Sequence, residues 1–255
     1  MSDVATATTT PITGAGIAPS KGLVARAFGV IFAPRETYAA IAAHPRIFGA
    51  AVTTLVLAVS ATVAFLLTQV GQDALWDQQM RAMDSMQALG FRINDQMLDR
   101  MESQLTMAPY FSAAGQLVLM PVVWTVLSGA LFGVFNVLFG GEATFKQVYA
   151  IVVHGGFLIA LQQLFVNPLN YVRHSMSSPT TLAAFVPFLD NRSFPALLLG
   201  GLDLFFIWLI INQAIGMGVL YKKRTAPIAL TMLGIYVAIV LVVAGVRTAL
   251  SGGAS

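Results

Sequence analysis

The sequence predicts an all-α polytopic membrane protein, a five-span helical bundle with interfacial amphipathic helices. Three observations carry that expectation. Pro195 to Gly245 holds two long apolar runs flanking three consecutive cations, Lys222, Lys223 and Arg224. A helix needs ~20 apolar residues to cross ~30 Å of hydrocarbon, so this stretch reads as a transmembrane hairpin with a tight basic turn. Only 10% of the 255 residues are charged and 57% are hydrophobic, whereas soluble domains carry roughly 25% charged residues. Three more apolar runs precede the hairpin at about 47–70, 111–139 and 147–171, and the hairpin itself supplies spans at about 196–221 and 227–246.

Residues 1–20 are small, polar and nearly uncharged. They bury too little apolar surface to offset their ordering entropy, which predicts a disordered tail. They lack the basic start and apolar core of a signal peptide. Residues 21–46 are too charged to span, and Pro34 divides them. Leu23, Ala27, Val30 and Ile31 share one helical stripe before it, with Lys21 and Arg26 available to anionic headgroups; Tyr38, Ile41 and Ala42 share one after it. The expectation is a cytoplasmic segment of amphipathic helices lying in the interface.

The first span, 47–70, is uncharged. Residues 71–110 form an extracytoplasmic helical loop, in which six acids face Arg81, Arg92 and Arg100. Apolar residues recur at helical spacing from Trp76 through Met80, Met83 and Met86, and again at Ile93, Met97, Met101 and Leu105. This predicts two amphipathic helices, parted at Gly90 and with Asn94 able to cap the second. In the second span Pro121 predicts a kink, and Gly129 and Gly133 a small-xxx-small contact face. The third span is the most polar, with His154, Gln162, Gln163 and Asn167. Residues 172–194 are a loop whose apolar piece, 182–189, is too short to cross.

Five spans put the chain ends on opposite sides. With the amino terminus in the cytoplasm, Lys21, Arg26, Arg35, Arg46, Lys146, Lys222, Lys223 and Arg224 face inward, eight of the fourteen cations. The cluster in the hairpin turn favours this orientation. The absence of cysteine excludes disulfides, thiol nucleophiles and iron–sulfur clusters, and no cofactor or metal is expected.

Polar residues inside the spans are the candidate functional groups. Asp203 lies about two turns below the outer end of its span, where an acid costs ~2.5–3.5 kcal/mol on insertion scales. By depth it meets Gln163 and Asn167 of the third span and Gln116 of the second. The two readings are a hydrogen-bonded acid joining helices and a proton or ion pathway. His154 lies nearer the cytoplasmic end, at the depth of Asn136, Asn212 and Gln213, and reads as a core histidine. Ser128-Gly129 is reminiscent of intramembrane serine proteases, but Val126 stands where their motif has glycine, and a serine nucleophile needs an adjacent base. The loop methionines are packing residues rather than Cu(I) ligands, since no histidine accompanies them.

The order of several short segments resembles the Yip (Ypt/Rab-interacting protein) membrane domain family, in particular its bacterial branch. These segments are Phe32-Ala33-Pro34-Arg35-Glu36-Thr37-Tyr38, Gly140-Gly141-Glu142-Ala143-Thr144-Phe145-Lys146-Gln147, Leu202-Asp203-Leu204-Phe205-Phe206-Ile207-Trp208 and Gly216-Met217-Gly218. The resemblance implies five spans, a cytoplasmic amino terminus and residence in a bacterial inner membrane. Eukaryotic members bind small GTPases in vesicle traffic. This chain lacks their Asp-Leu-Tyr-Gly-Pro element and has His154-Gly155-Gly156-Phe157 where many carry Gly-Tyr-x-x-Pro. The resemblance therefore implies fold and topology rather than GTPase binding. The expected function is non-enzymatic: organising membrane components or shaping the bilayer. The competing reading is a small transporter or channel using Asp203. The expected partners are the lipid bilayer and another membrane protein or a second copy of the chain, not nucleic acid.

Overall fold

The computed structural model describes residues 22–88, 90, 92, 94–190 and 193–252. The expected tail 1–20, Lys21, Ile93 and Arg192 lie outside these residues. The amino-terminal segment forms α1 (Leu23–Phe32) and α2 (Pro34–Ala43). Pro34 separates them because it has no N–H to continue α1, while its fixed φ suits the first position of α2. α3 (Phe48–Leu66) is followed by α4 (Gln69–Ala88) and α5 (Asp95–Leu105). Asn94 caps α5, accepting from the Met97 N–H at 2.9 Å.

α6 (Ala108–Phe132) runs through Pro121 as one helix and ends in a π turn, Gly133–Leu138. α7 (Phe145–Arg173) opens with a reciprocal cap between Thr144 and Gln147. α8 (Phe194–Gly201), α9 (Leu204–Leu220) and α10 (Thr225–Gly252) complete the chain.

The protein is an all-α membrane bundle. Among the described residues four helices are long and apolar enough to cross a membrane: Phe48–Leu66, Ala108–Val137, Phe145–Arg173 and Thr225–Ala249. The run expected as a continuous span over 196–221 is instead split into α8 and α9 at Leu202-Asp203.

α7 is the hub: 67% of its most apolar window is buried, against 11% for α10. It packs on α1, α2, α3, α6 and α9. Along α9, Asp203 meets Gln162, Gln213 lies against Gly155, and Gly216 lies against Ile151, so α9 runs antiparallel to α7. α6 is antiparallel too, with Trp124 at the level of Gly156 and Asn136 at Ala143. Close approach is made at glycines. A Cβ on Gly156 would sit 3.0 Å from Thr54 Cγ2 and 3.2 Å from Trp124 Cζ2, the small-residue packing that membrane helices need when no hydrophobic force drives them together. Gly129 and Gly133 have open space around them instead, so the contact face expected there is not used within this chain.

The amino-terminal helices were expected on the interface; they also have an inward face. Val30, Thr37, Tyr38 and Ile41 are fully buried, with α2 against α7 and α9. Val24, Phe28 and Phe32, one turn apart, form the exposed side of α1. α4 buries Ala74 and Met83, while α5 buries none of its side chains.

Candidate functional site

Two polar assemblies occupy the bundle, one around Asp203 and one around Tyr38, His154 and Asn212. The first is the break between α8 and α9. Asp203 caps α9: its Oδ1 accepts from the backbone N–H groups of Phe205 at 2.8 Å and Phe206 at 3.3 Å. The same oxygen accepts from Gln162 Nε2 at 3.2 Å. Oδ2 accepts from Thr180 Oγ1 at 2.6 Å and Ser178 Oγ at 3.0 Å. The carboxyl group thus takes five hydrogen bonds and faces the positive end of the α9 dipole.

The exposed backbone at the break is satisfied by the loop before α8. Leu182 N–H donates to Leu202 O at 2.9 Å and Leu204 N–H to Thr180 O at 3.0 Å, a one-residue antiparallel bridge. The Tyr236 hydroxyl of α10 donates to Gly201 O at 2.7 Å and accepts from Asp203 N–H at 3.1 Å. Non-helical backbone away from water needs its polar groups paired, and these bonds supply partners for Gly201 O, Leu202 O, Asp203 N–H and Leu204 N–H.

The residues grouped with Asp203 from depth alone sit elsewhere. Gln163 accepts from Asn167 within α7 at 3.2 Å, and Gln116 reaches only Ser112 within α6 at 3.4 Å. Gln162 takes the expected role of Gln163, because neighbours on a helix point about 100° apart. Ser178 and Thr180 had no signal beyond their position in a polar loop.

The second assembly joins α1 and α2 to the bundle. Tyr38 donates to Asn212 Oδ1 at 2.5 Å, and Asn212 Nδ2 donates to Val30 O at 2.7 Å. Burial pushes the Tyr38 phenol pKa upward, so the hydroxyl stays a donor. Arg26 Nη1 lies 3.3 Å from His154 Nε2 and 3.3 Å from Arg46 O. A guanidinium only donates, so Nε2 accepts and Nδ1 gives its hydrogen to Ala150 O at 2.7 Å. Burial, then the neighbouring Arg46, push the Arg26 pKa down from its ordinary value. Gln147 Nε2 donates to Ala42 O at 3.0 Å, fastening the end of α2 to the start of α7.

Gln213 donates to Val152 O at 3.1 Å, and Asn136 is held between Tyr221, at 2.5 Å, and Ala143 O, at 2.7 Å. The grouping of His154 with Asn136, Asn212 and Gln213 therefore resolves into separate pairs, each bridging different elements. Ser128 is buried, and among the described residues its hydroxyl has no hydrogen-bond partner, such as the adjacent base that a serine nucleophile needs. Among the described residues no group of three or more His, Asp or Glu is placed to hold a metal ion.

The segments that build these two assemblies are far apart in sequence: Pro34–Tyr38, Thr144–Gln147, Asp203 and Gly216–Gly218. The Yip1 domain family model spans all of them, matching residues 28–246. The chain belongs to the Yip1 domain family. No curated protein and no solved structure matches it. Within this Yip1 domain the short segments named above have physical roles. Thr144 and Gln147 cap α7, Gly216 admits the Tyr38 ring beside Ile151, and Asp203 starts α9.

Proposed function

We propose that this Yip1 domain protein is a non-enzymatic membrane organiser, and that α1 and α2 are its working part, an amphipathic wedge fastened to the cytoplasmic end of the bundle. The observation that carries the reading is the two-sidedness of that hairpin. Val30, Tyr38 and Ile41 are fully buried against the bundle, while Val24, Phe28 and Phe32 are 68%, 60% and 79% exposed. A free amphipathic helix tilts or leaves the surface; one bolted through Tyr38–Asn212 and Gln147–Ala42 holds its apolar row at a fixed depth in one leaflet. That row displaces lipid on one side only, which favours curved bilayers or a partner with a matching apolar face.

In this reading α8 and α9 together make the remaining crossing, giving five, as a helix broken at Asp203. α9 alone is ~25 Å long, short of the ~30 Å hydrocarbon core. The transport alternative draws no support from Asp203, whose two oxygens are occupied by Gln162, Ser178, Thr180 and the α9 backbone. Reconstitution into vesicles tests the proposal. Wild type should narrow the vesicle-diameter distribution seen by electron cryomicroscopy towards smaller vesicles, and a Phe28→Ser/Phe32→Ser variant of equal thermal stability should not. Identical distributions for the two proteins would reject the wedge.

A further inference from the structure

At the same end of the bundle as α2, a concavity of about 840 Å³ opens between the first turn of α2 and the turn joining α9 to α10. Arg35, Lys222, Lys223 and Arg224 line it, with Glu36 as the one acid. We propose that this cleft binds the phosphate of an anionic phospholipid headgroup. Four cations from two elements that are remote in sequence converge on one hollow, which a merely basic turn does not require.

The turn is built stiffly. Lys222 is in the left-handed region at φ 53°, and Lys223 N–H donates to Gly218 O at 2.9 Å. Gly218 is buried, and a Cβ there would lie 2.9 Å from Thr225 Oγ1 and 3.1 Å from Lys223 O. The chain can fold back this tightly only over glycine, and the fold-back aims the cations before any ligand arrives. Opposite, the first turn of α2 is held by buried Thr37 and Tyr38. Thr225 and Ala226, in the first turn of α10, also line the cleft.

The surroundings favour a lipid over a free anion as the source of the phosphate. α10 leaves the cleft with Leu230, Ile235, Ile239, Val242 and Val246 exposed by 53% or more along its length. Ile235, Ile239, Val242 and Val246 share one face of α10 that begins about three turns beyond the cations, so acyl chains can follow it while the headgroup stays at the basic rim. Basic pockets between helices at a membrane face are suited to such headgroups.

The test uses the full chain in neutral detergent, with thermal unfolding followed as phosphatidylglycerol, phosphatidylcholine or inorganic phosphate is added. Phosphatidylglycerol should raise Tm saturably and phosphatidylcholine should not. Arg35→Gln/Lys223→Gln/Arg224→Gln should unfold at the wild-type temperature without lipid and respond to phosphatidylglycerol with roughly tenfold or weaker half-saturation. If inorganic phosphate alone gives the whole shift, the cleft is a phosphate site and the lipid assignment is wrong. An unchanged response in the triple variant, or an equal response to phosphatidylcholine, overturns the proposal. Should the triple variant not fold, Arg224→Gln on an exposed side chain replaces it: a weakened response supports the cleft and an unchanged one overturns it.

Discussion

At the scale of single residues, the bundle depends on buried polar pairs whose partners come from different elements. Asp203 illustrates what the sequence conveys and what it withholds. Its burial was legible, because an acid in an apolar run must be satisfied. Its partners were not, since depth cannot choose between Gln162 and Gln163 and says nothing about a loop that reaches back. Asp203→Asn keeps an oxygen for the α9 amides and Gln162, so it should unfold in detergent close to wild type. Asp203→Leu removes the cap, at about 1 kcal/mol, and deprives Ser178 and Thr180 of their carboxylate acceptor and Gln162 of its interhelical bond, the last at about 0.6 kcal/mol. Thermal unfolding should rank wild type and Asn together above Leu; Leu equal to Asn would remove the cap from the account. Tyr38→Phe strands the buried Asn212 Oδ1, at about 1–3 kcal/mol. In a double-mutant cycle with Asn212→Leu the two losses should fall well short of adding, and full additivity would mean that the bond carries no stability.

At the scale of elements, helix identity was legible from apolar periodicity and length, and the division of α8 from α9 was written in the sequence but masked by hydropathy. Gly200-Gly201 followed by Asp203 is a stop signal and then a cap, yet the apolar residues on both sides let a window average run straight through. The inward face of α1 and α2 was less legible, because an amphipathic pattern names a face without naming what covers it, and Tyr38 and Asn212 are 174 residues apart. The loop helices divide in the same way. Met83 is 6% exposed and Met97 is 47% exposed. Met83→Asp should therefore lower thermal stability by about 2–3 kcal/mol, through burial of an unpaired polar group. Met97→Asp should stay within about 0.5 kcal/mol of wild type. Equal losses at the two sites would show that α5 is covered as α4 is.

At the scale of the whole molecule, the account joins a hub helix, a broken helix sealed by a loop, and an amino-terminal hairpin bolted to the basic end. We propose that the basic end faces the cytoplasm, the side that the cluster at Lys222–Arg224 favours. The chain has no cysteine, so single cysteines at Lys223 and Gln87 report sidedness cleanly. An impermeant thiol reagent on intact cells should label position 87 and spare 223, and the reverse pattern would invert the topology. The central claim is that α1 and α2 are a fixed part of the membrane domain rather than a loose surface arm. Amide hydrogen exchange in lipid nanodiscs measures this directly, because α7 and α5 supply internal references for a buried helix and a helix that buries nothing. Amides of residues 28–43 should exchange as slowly as those of 148–160, and Asn212→Leu should release them selectively. Exchange across 28–43 as fast as across 95–105 would contradict the bolted hairpin and, with it, the wedge.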